Sequence, residues 1–316
     1  DLDGVVYKGK NAIPFAVESL NAASDGAVIG YITNNASRTD AAVASHLSSL
    51  GLTVRAQDVV TSPQAAVRLL SEQVPAGSRV LVVGGDGLTD ELEKAGFTVT
   101  RSAADDPSAV VQGFAPDVGW TQLAEASFAL AGGDDGIPWI ATNTDWTIPV
   151  ERGIAPGNGT LVSAVHSAVG RLPLVAGKPE VPIFDEARRR FQAQHPLFIG
   201  DRLDTDILGA NRADIDSVFV LTGVDHAKQL IAAVPEQRPQ YILEDLRGLH
   251  EPYPRASVAR DGTVTVGAAA VRVAGAEVRI MADGDSELNL LRAACTAIWN
   301  SGTPIYALDV PERLYA

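Results

Sequence analysis

The chain has 316 residues, of which 46% are hydrophobic and 20% charged, with 29 Gly and 18 Pro. This composition is typical of globular proteins and excludes disordered and collagen-like chains, while the length suggests two domains, or one large domain with an appendage. The 25 basic and 39 acidic residues give a formal net charge of −14, which disfavours binding to nucleic acid or to an anionic membrane surface.

Cysteine usage and hydropathy narrow the class further. The one cysteine, Cys295, rules out a disulfide framework and argues against a cysteine-based zinc site. No apolar run approaches the roughly 18 residues of a membrane span, and no segment resembles a secretory signal peptide. These features predict a cytoplasmic protein.

The first residues read as the end of a strand. Residues 1–7 have the sequence DLDGVVY, and the only methionine of the chain is Met281, so residue 1 is not a retained initiator. We therefore expect a short apolar strand before Asp1 in the natural protein.

Strands and helices then alternate along the chain. The apolar run AVIGYIT at 27–33 is typical of a buried parallel strand. A helix is predicted over 38–50 with Thr39 as its N-cap, and Ser62-Pro63 predicts the N-cap and first position of the next helix. Further strands are predicted at 79–84, 109–114, 138–143, 173–177, 196–200 and 217–222, with helices between them.

This alternation predicts βαβ units and therefore an α/β fold with a largely parallel, doubly wound sheet. Beyond residue 253 the pattern changes. Two alternating runs at 256–280 surround Asp261-Gly262, which predicts a hairpin. A helix at 285–299 and a short strand at 304–309 follow.

Residues 254–316 are thus expected to form a small α+β appendage. The order hairpin, helix, strand is compatible with a fragment of an acetyltransferase fold, but the Q/R-x-x-G-x-G/A loop of those enzymes is absent from the segment. A role in packing or oligomerisation is the favoured interpretation.

Acidic residues follow two of the predicted strands. Asp1 and Asp3 lie at the end of the first strand, while Asp201, Asp204 and Asp206 follow the apolar run PLFIG. In open parallel sheets, ligands bind beyond the carboxyl ends of the strands at the topological switch point. Each cluster taken alone is explained equally well as turn chemistry, because Asp and Gly favour turns.

Two more strand ends carry complementary groups. Thr33, Asn34 and Asn35 offer a hydroxyl, side-chain amides and backbone N–H groups, and Lys178 offers a cation. Taken alone, these are a common turn pair and a surface lysine. The four strand ends together describe a magnesium-assisted phosphate site, because carboxylates suit Mg²⁺ while hydroxyl, amide and ammonium groups neutralise phosphate oxygens.

In their order along the chain, these features resemble the four motifs of the haloacid dehalogenase (HAD) phosphatase superfamily. The matching segments are DLDGVVY at 1–7, ITNN at 32–35, GKP at 177–179 and GDRLDTDI at 200–207.

Two further segments, ATNTD at 141–145 and PGNGTLVSAV at 156–165, resemble the branch of that superfamily with a large type C2a cap. The branch includes 4-nitrophenylphosphatase-like, phosphoglycolate and glycerol-phosphate phosphatases. The resemblance covers roughly residues 1–250 and is closest to glycerol 3-phosphate phosphatases of high-GC bacteria.

The resemblance implies a role for each matched residue. Asp1 would be the nucleophile that forms an aspartyl-phosphate, and Asp3 would be general acid and then general base. The substrate-binding residues would be Thr33, Asn34, Asn35 and Lys178.

The resemblance also implies Mg²⁺ as the cofactor. The ion would be held by the Asp1 carboxylate, the Asp3 backbone carbonyl and Asp201, with Asp206 orienting metal-bound water. Asn143 and Asp145, in the TNTD turn, would either contact the alcohol portion of the substrate or serve as ordinary turn residues.

The implied architecture is a doubly wound HAD core with an inserted α/β C2 cap and the C-terminal α+β appendage. The cap would close over the site and select the leaving group. The implied domain boundaries are residues 1–76 and 173–250 for the core, 77–172 for the cap and 254–316 for the appendage.

The function expected from the sequence is that of a magnesium-dependent phosphomonoesterase for a small phosphorylated metabolite. Glycerol 3-phosphate is the leading substrate, followed by 2-phosphoglycolate and then nucleotides or pyridoxal phosphate. From other classes, a phospho-Asp signalling module and a ligand-binding scaffold remain as alternatives. A small phosphate ester is the expected partner, without nucleic acid or membrane, and relatives with this cap often pair through it, which implies a homodimer as one assembly.

Overall fold

The computed structural model describes residues 1–133, 136–150 and 152–315. The strands are β1 (Tyr7–Lys8), β2 (Asn11–Ala12), β3 (Tyr31–Thr33), β4 (Val59–Thr61), β5 (Arg79–Val83), β6 (Thr98–Thr100), β7 (Ala109–Gln112), β8 (Trp139–Ala141), β9 (Thr147–Val150), β10 (Gly153–Pro156), β11 (Leu174–Val175), β12 (Leu197–Gly200), β13 (Asp216–Val220), β14 (Tyr241–Leu243), β15 (Ala256–Val258), β16 (Val264–Val266), β17 (Ala269–Ala274) and β18 (Glu277–Ala282). The α-helices are α1 (Ala16–Ala23), α2 (Asp40–Ser49), α3 (Ser62–Ser71), α4 (Asp86–Lys94), α5 (Trp120–Ala129), α6 (Asn158–Val169), α7 (Val181–Phe191), α8 (Leu208–Arg212), α9 (Ala227–Ile231) and α10 (Glu287–Ser301).

The chain divides into two compact units. The first unit comprises Asp1–Ala27 and His195–Ala316, and the second comprises Val28–Gln194. The division into core, cap and appendage that the sequence implies stays a prediction.

The second unit is built on a five-stranded parallel sheet with the strand order β11-β8-β7-β5-β6. One face of this sheet is covered by α5 and α6, whose apolar side chains pack against Val83, Val110 and Trp139. The three inner strands β5, β7 and β8 are mostly apolar and buried, because both faces of such a sheet are covered. A parallel pair, β3 and β4, and an antiparallel hairpin, β9 and β10, complete the strands of this unit.

The first unit contains a parallel sheet, β12-β13-β14, and an antiparallel sheet, β15-β16-β17-β18. A hairpin of β1 and β2 is also part of this unit. One hydrophobic core joins the two larger sheets: Phe219 and Ile242 of the parallel sheet share it with Val271, Cys295 and Ile298 of the C-terminal segment. The C-terminal segment therefore buries its apolar face within this unit.

The helix starts follow the sequence closely. The Thr39 hydroxyl caps α2 by accepting the N–H of Ala42, as predicted. The α3 start lies one residue earlier than predicted: Thr61 is the N-cap, and its N–H donates to the Gln64 side chain (3.2 Å). This capping box moves Pro63 to the second helical position.

Two strand predictions need correction. Pairing in the 27–33 run begins only at Tyr31, because its parallel partner β4 is three residues long. The strand predicted at 304–309 is wrong. A 3₁₀ turn at Ile305–Ala307 follows Pro304, and only Asp309 forms a bridge, to Glu277. A proline lacks the N–H that a strand ladder needs.

The hairpin predicted at Asp261-Gly262 is present between β15 and β16, but the 256–280 region contains more strands than the two runs suggested. Gly267 and Gly275 have positive φ values of 58° and 63°, and each closes a further tight turn. No α-helix within the described ranges has the length and apolar character needed to cross a membrane.

Arg292 links α10 to the parallel sheet. Its Nε and Nη2 atoms donate to the carbonyl of Ile242 (2.9 and 2.6 Å), and Nη1 donates to Asn289 (2.8 Å). The guanidinium also lies 4.5 Å from the ring centroid of Tyr253. Burial lowers the pKa of Arg292 below its ordinary value. The carbonyl and aromatic contacts oppose this effect and stabilise the charged guanidinium in the interior.

We expect Arg292→Ala to destabilise the first unit by about 2 kcal/mol, because it removes charge-assisted hydrogen bonds and leaves the Ile242 carbonyl without its donor. Urea unfolding monitored by circular dichroism measures this change. The matched control is Arg313→Ala, which breaks an exposed ion pair with Glu287 and should change stability little. Equal stability of the two variants would contradict the role given to Arg292.

Candidate active site

The turn after β12 fixes two buried carboxylates. Asp206 is fully buried, and its Oδ2 accepts the N–H groups of Asp201 and Arg202, both at 3.1 Å. These bonds connect the backbone just before the π-helical turn at Leu203–Ile207 to a side chain within that turn. Gly200 is required before the turn, because a Cβ at that position would overlap the Asp206 side chain.

Asp1 joins these carboxylates at the end of β12. The Asp1 nitrogen donates to the carbonyl of Ile199 (2.7 Å). One ligand oxygen from each of Asp1, Asp201 and Asp206 lies within 4.8 Å of the others, and within the described ranges no other set of three acidic, His or Cys side chains is so close.

The other two predicted acidic residues lie differently. Asp204 forms an exposed ion pair with Arg202 (2.9 Å) and is not part of the cluster. The Asp3 residue is exposed, on the turn where it bridges Tyr7.

Glycines make room for the Asp201 carboxylate. A Cβ at Gly4, which has φ +79°, or at Gly223 would overlap that carboxylate. The N–H of Val224 donates to Asp201 Oδ2 (2.7 Å), and the Thr222 hydroxyl donates to the carbonyl of Gly4 (2.6 Å). The segments after β13 and at the start of the chain are thus held around one carboxylate.

This donor set fits a hard divalent cation such as Mg²⁺. Carboxylate oxygens are its preferred protein ligands, and the glycines leave space beside the Asp201 oxygens. Near the cluster, burial raises the pKa of Asp225, whose carboxylate accepts the Leu203 N–H (2.8 Å). Burial thus disfavours the charged form of the Asp225 carboxyl.

The second unit holds the other predicted residues. Thr33, at the end of β3, is buried, and its hydroxyl accepts the N–H of Asn35 (3.2 Å). The Asn35 side-chain oxygen accepts the N–H of Ser37 (2.9 Å) and of Arg38 (3.3 Å). Asn35 therefore shapes the loop that follows β3 as an Asx turn.

Asn34, Lys178 and the TNTD turn come together in this unit. The N–H of Lys178 donates to Asn34 Oδ1 (2.8 Å), and Asn34 Nδ2 donates to Asp145 (3.1 Å). Asn143 Nδ2 donates to the carbonyl of Asn34 (2.8 Å). The Lys178 side chain is buried, with 3% exposure.

Comparison with other proteins identifies the family. The sequence profile of the haloacid dehalogenase-like hydrolases matches residues 1–98, and a second HAD-hydrolase-like profile matches residues 175–249. The D-glycerol 3-phosphate phosphatase of Mycobacterium tuberculosis is 43% identical over 316 residues, covering 99% of this chain and 87% of that protein. The chain belongs to the haloacid dehalogenase-like hydrolases.

Other HAD relatives agree. The acid sugar phosphatase of Staphylococcus saprophyticus is 34% identical over 250 residues, which is 78% of this chain and 93% of that protein. The crystal structure of a glycerol phosphate phosphatase from M. tuberculosis in complex with magnesium matches with a TM-score of 0.88 and 41% identity, covering 96% of this chain and 90% of that one. The HAD resemblance and the α/β class predicted from the sequence are confirmed.

The sequence motifs do not include several residues that contact the predicted site residues. Gly223 and Val224, which shape the Asp201 pocket, follow the predicted strand at 217–222, as the acidic residues follow theirs. Their position directly after a predicted strand could have identified them as candidate site residues. Ser62, whose hydroxyl donates to the carbonyl of Asn34 (2.7 Å), carried no signal beyond helix capping.

Gly4→Ala should weaken Mg²⁺ binding at least tenfold, because the new Cβ overlaps the Asp201 carboxylate. Isothermal titration calorimetry with MgCl₂ on the purified protein measures the affinity. Gly9→Ala is the matched control, since Gly9 also has positive φ (64°) but a Cβ added there would have no neighbouring atom within 4 Å. A parallel loss of affinity in both variants would show that backbone strain, and not the overlap with Asp201, is responsible.

Proposed function

We propose that this HAD hydrolase is a magnesium-dependent phosphomonoesterase whose leading substrate is glycerol 3-phosphate. The observation that carries the proposal is the convergence of Asp1, Asp201 and Asp206 at the end of β12. The similarity to the D-glycerol 3-phosphate phosphatase of M. tuberculosis, and to a crystal structure named as a glycerol phosphate phosphatase of that organism, supports the choice of substrate.

Mg²⁺ would be held by the carboxylates of Asp1 and Asp201 and by the Asp3 carbonyl, with Asp206 orienting bound water. When bound, it would supply positive charge that neutralises phosphate oxygens. A carboxylate oxygen of Asp1 would attack phosphorus, and the bond from phosphorus to the ester oxygen would break as Asp3 donates a proton to the leaving alcohol.

In the second half-reaction Asp3, now a carboxylate, would take a proton from water. That water would attack the phosphorus of the aspartyl-phosphate, releasing inorganic phosphate and restoring Asp1. Thr33, Asn34 and Lys178 would contribute hydroxyl, backbone N–H and ammonium groups toward the phosphoryl oxygens, where charge must be stabilised.

The cellular location, the assembly and the domain organisation remain predictions. They are a cytoplasmic location, a homodimer and a cap at residues 77–172. The other small esters, which are 2-phosphoglycolate, nucleotides and pyridoxal phosphate, are the alternatives within the same chemistry. A phospho-Asp signalling module or a ligand-binding scaffold is the alternative from another class.

Phosphate release from a panel of these esters tests the substrate. We expect turnover with Mg²⁺, none after chelation by EDTA, and the highest kcat/KM with glycerol 3-phosphate. A higher kcat/KM with another ester would reassign the substrate and leave the chemistry intact. Phospho-Asp that persists without turnover would instead support the signalling module.

The Asp1→Asn variant should lose turnover completely, because an amide oxygen is too weak a nucleophile to form the acyl-phosphate. The matched control is Asp204→Asn, which alters an exposed carboxylate paired with Arg202 and should retain activity. Magnesium-dependent turnover by Asp1→Asn would refute the assignment of the nucleophile.

A further inference from the structure

Both N–H donors of the Asn34 side-chain amide are used within the second unit. Its Nδ2 donates to the carbonyl of Lys178 (3.0 Å) and to the two carboxylate oxygens of Asp145 (3.1 and 3.3 Å), while its Oδ1 accepts the N–H of Lys178 (2.8 Å). A primary amide has two N–H donors. Both are directed to protein acceptors, so the amide has no N–H left for a phosphoryl oxygen.

Asp145 determines which way the Asn34 amide faces. A carboxylate only accepts hydrogen bonds, so it requires the NH₂ group of Asn34 on its side. In the opposite orientation, the amide oxygen would face the Asp145 carboxylate and the NH₂ group would face the N–H of Lys178. Both contacts would be repulsive, so Asp145 keeps Asn34 Oδ1 directed at Lys178.

One amide therefore holds the main chain of Lys178 at both its N–H and its carbonyl. Gly177, the preceding residue, allows this approach, because a Cβ there would overlap the Thr142 carbonyl and approach Asn34 Oδ1. Fixing the main chain at Lys178 fixes the direction in which its side chain leaves the backbone.

The main chain of Asp145 is held in place by further hydrogen bonds. Its N–H donates to Asn143 Oδ1 (3.2 Å), and its carbonyl accepts the N–H of Gly159 at the start of α6 (2.9 Å). Asn158, 1% exposed, donates from Nδ2 to the carbonyl of Asn143 (2.7 Å). A Cβ at Gly159 would overlap the Thr144 carbonyl, so the turn lies directly against the helix end.

We propose that Asn34 is a positioning residue that transmits the position of the turn at 142–145 to Lys178, with Asp145 setting the orientation of its amide. The inference rests on the proposed function only in taking Lys178 as the residue that contacts the phosphoryl group. It assigns Asp145 an action through Asn34, and it couples the turn that carries Asn143 to the lysine of the phosphate site.

Steady-state kinetics with the ester panel test the proposal. Asn34→Ala and Asp145→Ala should each lower kcat about 100-fold, to the same extent for every ester, with little change in KM. Asp145→Asn should retain most of the activity, because an Asn oxygen can still accept the Asn34 N–H. A change in KM that differs among esters for Asp145→Ala would instead mean that Asp145 contacts the leaving alcohol, and would overturn its positioning role.

A double-mutant cycle separates positioning from direct contact. If Asn34 acts only through Lys178, adding Asn34→Ala to Lys178→Ala should cause no further loss of kcat. A further loss equal to that in the wild-type background would overturn the proposal. The control is Gln122→Ala, which removes a side chain that accepts the N–H of Gly119 elsewhere in the unit and should leave kcat unchanged.

Hydrogen exchange at the Lys178 amide gives a readout that needs no activity. Asn34→Ala and Asp145→Ala should increase its exchange rate, whereas Gln122→Ala should not. Unchanged exchange in both variants would overturn the proposal. If the wild-type protein lacks phosphatase activity but the variants show the expected changes in exchange, the proposed function is refuted while the Asn34 contact is still supported.

Discussion

Three carboxylates held within 4.8 Å of one another are the constraint on which the site depends. Two like charges 4 Å apart repel by about 1 kcal/mol in water and about 4 kcal/mol at an effective dielectric constant of 20. Asp201 and Asp206 are buried, so the higher figure is the relevant one. The backbone N–H of Val224 and the N–H groups donated to Asp206 offset part of this repulsion. A divalent cation offsets the rest, so the fold and the cation site are energetically linked.

The second unit meets a different requirement, which is to fix a buried lysine. Lysine has a long flexible side chain, and its position depends on the main chain that carries it. The Asn34 amide contacts that main chain at two points, and a carboxylate on the opposite side prevents the amide from rotating. Precision here comes from the limited donor and acceptor inventory of each group, since only one arrangement satisfies all of them.

Most of the parallel strands, the helix starts and the acidic cluster could be predicted because their signals are local. Apolar runs identify buried strands, and Asp and Asn residues directly after them identify a site at the strand ends. The role of Asn34 was beyond that reach, because its partner Asp145 lies 111 residues away along the chain. The strand predicted at 304–309 failed for a local reason. The prediction used the apolar pattern and did not take account of Pro304, after which the chain forms a 3₁₀ turn.

The net charge of −14 gives the cation a role in substrate binding. A phosphate monoester is itself an anion, and both the overall field of the chain and the carboxylates at the end of β12 repel it. A bound divalent cation would cancel two of the three carboxylate charges and present positive charge to the phosphate oxygens. By this argument substrate affinity, and not only the rate of the chemical step, depends on the metal.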